Sequence, residues 1–269
     1  MSSHQTLDWL LILIPAYNEQ GAIRRVVSEV LAVMPAVDVL VVDDGSSDAT
    51  AREAEAAGAL VIRHPFNLCV GGAVQTGLKF AQQAGYDMVI RLDGDGQHDP
   101  RDIPHLYAVL RSRQADVVVY SRFLEAEELT TPIPRLRRLG IYLFALAVTV
   151  LTGRRATDTT SGFIGMNRRA ITTLAAYMPQ DYPEVESRII LHKAGLRVLE
   201  LPGRMQARLS GASSINSWRS IYYALKVSVA VLTAILKDVP VFKGEHSRGM
   251  EGVYASTYTS RAAGHCRRP

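Results

Sequence analysis

Residues 88–100, Met-Val-Ile-Arg-Leu-Asp-Gly-Asp-Gly-Gln-His-Asp-Pro, run from an apolar stretch into two carboxylates, Asp93 and Asp95, separated by Gly94 alone. Along an extended chain the side chains alternate, so residues i and i+2 point the same way. Two carboxylates about 4 Å apart repel by roughly 4 kcal/mol at an effective dielectric near 20. A divalent cation removes that cost, and hard oxygen ligands suit Mg²⁺ or Mn²⁺. Mg²⁺ is usually held by one or two carboxylates together with substrate phosphates, so the pair suits a diphosphate-bearing substrate. The same residues also suit a polar turn closing a strand, because Asp-Gly is common turn chemistry. Spacing alone leaves both readings open.

The surrounding elements narrow the choice. Residues 9–14, 37–42, 59–62, 88–92 and 116–120 are short Val-, Ile- and Leu-rich runs bounded by turn residues, and they read as strands. Helical patterns over 19–33, 47–57, 72–84 and 100–111 separate them. This alternation predicts an α/β fold, a Rossmann-like, mostly parallel sheet flanked by helices. In such sheets ligands bind beyond the carboxyl ends of the strands. Three polar clusters fall there: 15–19 (Pro-Ala-Tyr-Asn-Glu), 43–48 (Asp-Asp-Gly-Ser-Ser-Asp) and 93–97. Asp44 can accept hydrogen bonds from a base or ribose, or simply cap a turn. Tyr17 can stack on a base, or pack.

After residue 120 the alternation weakens. Pro132 and Pro134 lead into an apolar helix at 139–152, flanked by Arg135, Arg137, Arg138, Arg154 and Arg155. A polar loop at 158–162, a helix at 184–194, a strand at 198–201 and a final helix at 216–237 follow. The helices at 139–152 and 216–237 suit a buried core, and the arginine flanks also suit a helix lying at an anionic membrane surface. No run of 18 clean apolar residues is present, and 10–14 is too short for a secretory signal. The expectation is a cytoplasmic protein, with a peripheral place on the cytoplasmic membrane face as its one membrane role.

Of 269 residues, 48% are apolar and 21% charged, as in a globular chain with a real core. The cysteines, Cys69 and Cys266, lack metal-ligand spacing and fit a reducing compartment. The net charge of +4 is mostly the tail 243–269, which holds five Lys/Arg and two Glu. That tail is Gly-, Ser- and Arg-rich and reads as disordered, and a basic tail is poor evidence for nucleic-acid binding. Residues 70–77 lack the G-x-G-x-x-G spacing, and no P-loop occurs.

The three strand-end motifs together resemble those of family 2 glycosyltransferases, closest to dolichyl- or polyprenyl-phosphate sugar synthases and related bacterial enzymes. The resemblance continues through Ser121-Arg122, the loop 158–162, residues 184–195 and 208–214, and so covers about 9–236. It implies a GT-A fold over 1–242, with a nucleotide-sugar half at about 9–122, an acceptor half at about 123–242 and C-terminal amphipathic helices. It also implies a nucleotide-diphosphate sugar donor, a divalent metal, and a polyprenyl-phosphate or other cell-envelope acceptor. By position Pro15, Tyr17, Glu19 and Asp44 would hold the nucleoside. Asp93, Gly94, Asp95 and Gln97 would form the metal and diphosphate end, and Arg122 and Arg208 would bring positive charge to the phosphates. Two departures stand out. Cys69 replaces a glycine in the Asn-Leu-Gly-x-Gly-Gly loop, so a positive φ there would strain it. Ser214 stands where dolichyl-phosphate mannose synthases commonly carry lysine, which weighs against a lipid-phosphate acceptor.

The implied reaction is inverting transfer with Asp95 at its centre. A phosphate acceptor is already anionic, whereas a hydroxyl needs a base. Glu184 and Glu186 are the candidates, and about 200° of helix rotation separates them. The resemblance favours Glu186, while a solvated helix face suits either. The alternative is a non-catalytic nucleotide-sugar-binding or membrane-scaffold module. A nucleotidyltransferase would want a Gly-rich phosphate loop after the first strand, which 15–19 is not.

Overall fold

The computed structural model describes residues 9–124, 135–179, 183–203, 236 and 238–241. Outside them lie the proline link at 132–134, Arg208, Ser214, the helix read at 216–237 apart from Leu236, and the tail 243–269.

The sheet is built from β1 (Leu10–Ala16), β2 (Asp38–Asp43), β3 (Leu60–Arg63), β4 (Met88–Arg91), β5 (Val117–Ser121), β6 (Ile164–Asn167) and β7 (Val198–Pro202). The order across it is β3-β2-β1-β4-β6-β5-β7. Every pairing is parallel except those of β6, which runs antiparallel to both β4 and β5. All seven residues of β1 are buried, because helices cover both faces. On one face lie α1 (Ile23–Val33), α2 (Thr50–Ala56) and α4 (Ile103–Arg111), whose Ile23, Val26, Val30, Ala54 and Leu106 join Ile12, Ile14 and Ile90. On the other lie α3 (Cys69–Ala84), α6 (Arg168–Tyr177) and α7 (Pro183–Lys193), packed on Leu11, Leu13, Val89 and Val119. In α1 the buried Ile23, Val26, Val27 and Val30 form the i, i+3, i+4, i+7 stripe of an amphipathic helix. The remaining helix, α5 (Arg135–Thr152), packs against α7 through Val148 and Val185.

Three features differ from the sequence reading. β6 enters between β4 and β5, so residues on both sides of 122 share one sheet. α6 (Arg168–Tyr177) follows β6 with no residue between them, so no turn marks its start. Asp93 and Asp95 lie beyond β4, which ends at Arg91, so their juxtaposition comes from a turn and not from strand alternation.

Packing between α3 and β1 depends on Gly77, where an added Cβ would overlap Leu13 Cδ1. Leu13 is fully buried and cannot give way. Gly77→Ala is therefore expected to cost about 1–3 kcal/mol by overpacking, read as a lowered midpoint in denaturant unfolding.

Candidate active site

The order β2-β1-β4 places three carboxylate-bearing strand ends at neighbouring positions, where the chain reverses its march across the sheet after β3 and returns to β4. That is the crevice position of open α/β sheets. Two inter-strand steps separate the β2 end from the β4 end, about 10 Å.

At the β2 end, Asp44 is buried, and its Oδ1 accepts from the Leu68 backbone N–H at 2.8 Å and contacts His64 Nδ1 at 2.7 Å. Asp43 Oδ1 accepts from the Ser46 N–H, and its Oδ2 lies 3.2 Å from Arg63 Nε. The β1 end is laced to this loop. Asn18, at φ +54°, donates its N–H to Ser46 Oγ and accepts from the Ser47 N–H, while the Glu19 N–H donates to Thr50 Oγ1. Glu19 also opens α1, its carbonyl accepting from Ala22 and Ile23. Pro15 is a strand residue paired with Val42, and Tyr17 is about half exposed at the rim. Cys69 does adopt a positive φ, +63°, with its N–H donated to Asn67 Oδ1.

At the β4 end, Asp95 is buried and its Oδ1 accepts the Gln97 N–H at 3.0 Å, which shapes the turn. The Asp93 side chain is about one-third exposed. Its N–H donates to His98 Nδ1 at 3.0 Å, so the neutral ring carries its proton on Nε2, and burial holds this imidazole below its usual range. Gly94 brings the turn against β1, since a Cβ there would touch Ala16 Cβ at 3.4 Å. Arg91, fully enclosed, donates through Nη2 to Asp93 Oδ1 and Glu184 Oε1, each at 3.1 Å. Burial alone would lower this guanidinium, but Asp93 and Glu184 outweigh it and hold it above its ordinary value. The residue of α7 that reaches the aspartates through Arg91 is thus Glu184. Glu186 lies half-buried on the same helix.

The loop 157–162 closes the site from the β6 side. Asp158 is wholly buried and takes a bidentate pair from Arg122, Nε to Oδ2 at 2.6 Å and Nη2 to Oδ1 at 2.8 Å. Burial would raise the Asp158 carboxyl, yet the Arg122 hydrogen bonds and charge hold it below the usual carboxylate range. Arg122 also donates to Thr160 Oγ1. Its guanidinium therefore anchors the loop through Nε and Nη2. Arg188 secures the same loop from α7, donating to the Asp158 carbonyl and to Glu200 Oε1, while Glu200 Oε2 accepts from Thr157. Arg91 and His64 carried no sequence signal as site residues beyond a charge near a motif, while Gly162 and Arg188 lie in stretches that the resemblance covers without being singled out.

Gly162 backs the Asp93 carboxylate so closely that a Cβ would lie 2.5 Å from Oδ2. Gly162→Ala is expected to push Asp93 aside. Because displacements near 1 Å cost up to about 100-fold in rate, kcat should fall by about that much with an unchanged melting temperature.

Among the described residues no group of three or more His, Cys, Asp or Glu side chains could hold a metal alone. Two hard carboxylates at one strand end, one partly exposed, instead fit a divalent cation shared with a diphosphate.

The profile described as Glycosyl transferase family 2 matches residues 11–174. An undecaprenyl-phosphate mannosyltransferase of Micrococcus luteus is 29% identical over 216 residues, covering 77% of this chain and 87% of that one. A UDP-N-acetylglucosamine–dolichyl-phosphate N-acetylglucosaminyltransferase of Methanococcus voltae is 30% identical over 212 residues, covering 72% and 84%. Among solved structures, glucosyl-3-phosphoglycerate synthase of Mycobacterium tuberculosis, in complex with Mn²⁺, UDP and glucosyl-3-phosphoglycerate, superposes with a TM-score of 0.68 at 20% identity, over 87% of this chain and 81% of that one. That likeness establishes the GT-A fold.

Proposed function

The chain belongs to glycosyl transferase family 2, and from that premise we propose that it transfers a sugar, with inversion, from a nucleotide-diphosphate sugar to a polyprenyl-phosphate acceptor. One observation carries the reading: Asp44 and the Asp93–Asp95 pair stand at strand ends two steps apart, with β1 between them. That span of about 10 Å suits a nucleoside at one end and its diphosphate at the other. Asp44, with Pro15, Tyr17 and Glu19 at the rim, would hold the nucleoside. Asp93, Asp95 and Gln97 would hold Mg²⁺ or Mn²⁺, which when bound neutralises charge developing on the diphosphate. Arg122 acts through Asp158 and keeps the loop in place.

The acceptor follows from Glu184. Its carboxylate is tied to a buried guanidinium, a poor setting for taking a proton, whereas a phosphate oxygen needs none taken. Glu186 remains the base that a hydroxyl acceptor would require. Both named relatives carry polyprenyl- or dolichyl-phosphate in their names.

α5 offers a place for the lipid. Ile141, Ala145 and Val148 face inward, while Tyr142, Leu143, Leu146 and Val150 are exposed, with exposed Arg154 and Arg155 just beyond its end. No described helix is long and apolar enough to cross a membrane, so this face suits an anionic membrane surface. Tyr142→Glu combined with Leu146→Glu is expected to weaken binding to phosphatidylglycerol vesicles at low salt by about tenfold or more, read by co-sedimentation. Unchanged binding would remove the membrane from the proposal.

The test of the reaction is a screen of UDP-, GDP- and TDP-sugars with Mn²⁺ and undecaprenyl phosphate. Chelator-sensitive formation of a glycosylated lipid phosphate is the expected result. Transfer that survives chelation would overturn the metal-assisted mechanism, and donor binding without any turnover would favour a non-catalytic module.

A further inference from the structure

His64 lies at the end of β3, buried, and touches a partner with each ring nitrogen. Nδ1 is 2.7 Å from Asp44 Oδ1, and Nε2 is 3.0 Å from Thr76 Oγ1 on α3. A carboxylate oxygen only accepts, so Nδ1 carries the hydrogen. In the neutral ring Nε2 then accepts from the Thr76 hydroxyl. Asp44 Oδ1 also accepts the Leu68 N–H, so the two lone pairs of that oxygen are both engaged.

The consequence falls on the other oxygen. An aspartate's second side-chain torsion is soft and broad when nothing holds it. Here two donors, one just past β3 and one at the N-terminal cap of α3, fix the carboxylate plane, and the first donor is itself fixed by Thr76 farther along α3. Oδ2 has no hydrogen-bond partner among the described residues and is left in one orientation. Gly45, Ser46, Arg63, His64 and Pro65 line an open pocket of about 340 Å³ beside this contact.

We propose that His64, anchored by Thr76, is a positioning residue that presets the Asp44 carboxylate as an acceptor for the donor's nucleobase, so that bases bearing a ring N–H are selected. The inference rests on the reading that Asp44 holds the nucleoside. Uracil and guanine present such an N–H, whereas cytosine and adenine present a ring nitrogen lone pair, which a fixed carboxylate oxygen repels. A carboxylate free to rotate would discriminate less, because it could turn away from the lone pair and bind an exocyclic amine.

The test measures UDP, GDP, CDP and ADP binding by titration calorimetry in the presence of Mn²⁺, for the parent and four variants. The parent should prefer UDP or GDP. His64→Leu removes both contacts and is expected to weaken that nucleotide about tenfold and to narrow its margin over CDP and ADP. In turnover, the donor KM should rise while kcat stays within about threefold. His64→Asn keeps an N–H for Asp44 and should recover most of the affinity. Thr76→Val, isosteric and on a different element, should reproduce part of the loss without disturbing the fold. Asp44→Asn separates the two ideas. If it leaves nucleotide affinity unchanged, the nucleoside seat is elsewhere and the proposal falls with it. If it weakens binding while His64→Leu and Thr76→Val bind and discriminate like the parent, only the positioning role is overturned. A fall in kcat with donor KM unchanged in Thr76→Val would overturn it as well.

Discussion

An Asp95→Asn enzyme is expected to fold like its parent and to lose about 100- to 1000-fold in kcat, the range typical of removing one electrostatic stabiliser from a preorganised site. The substitution is chosen from the geometry. Asp95 Oδ1 accepts the Gln97 N–H and shapes the turn, and an asparagine carbonyl accepts that bond equally well. What disappears is the negative charge. Asp93 then stands alone with Arg91 already donating to its Oδ1, and the net charge available to attract a divalent cation falls to near zero. The measurement is the initial rate of sugar transfer across a Mn²⁺ titration, with the melting temperature as the control for folding. Activity within about threefold of the parent at saturating Mn²⁺ would remove Asp95 from the metal site.

Arg122→Met should be the most damaging change to stability. It leaves Asp158, wholly buried, without its bidentate partner, and breaking a buried pair from one side costs about 3–5 kcal/mol. The pH dependence separates this from lost packing. In the parent, the Asp158 carboxyl is held below its unfolded value, so the pair contributes stability above about pH 4, and that contribution is lost as pH falls through the folded value. In the variant, the backbone N–H groups of Thr160 and residue 122 still reach the carboxylate, but the guanidinium no longer offsets burial and the folded value rises. The variant is then penalised most where Asp158 must be ionised, and the penalty eases as pH falls towards the raised folded value. The stability gap should therefore be widest near neutrality and narrow steadily into acid. Denaturant unfolding at a series of pH values reads it directly, and a gap independent of pH would assign the loss to packing.

Much of this site is legible in the chain because strand ends punctuate it. A buried parallel strand is a continuous apolar run, so the switch to Asp43-Asp44 or Asp93-Gly94-Asp95 is abrupt and visible. The positive φ at Cys69 was legible only through the resemblance, which places a glycine there. The residues that hold the carboxylates were not legible. Arg91 sits inside a strand run and His64 just past one, and a single polar residue has no period to betray its partner. Glu184 meets Arg91 across 93 positions of sequence, a pairing only the fold creates. Arg122 and Asp158 both lie in stretches that the resemblance covers, but their pairing across 36 positions is again made only by the fold. The reversed direction of β6 escaped for a related reason: four residues carry burial but no arrow.

That reversal makes the stretch between β5 and β6 modular. The chain leaves the sheet at Ser121 and re-enters at Ile164, and Val119 and Ile164 are cross-strand partners. The excursion between them therefore begins and ends at one place, like the two sides of a hinge pin. Loops with closed ends tolerate changes in length at small entropic expense, and insertions succeed where the termini of the insert lie together. Exchange of residues 123–156, with Arg122 and the 157–162 loop kept, would leave the register of all seven strands untouched, and with it the carboxylates of β2 and β4. One scaffold could thus meet new acceptors while its donor chemistry stays the same.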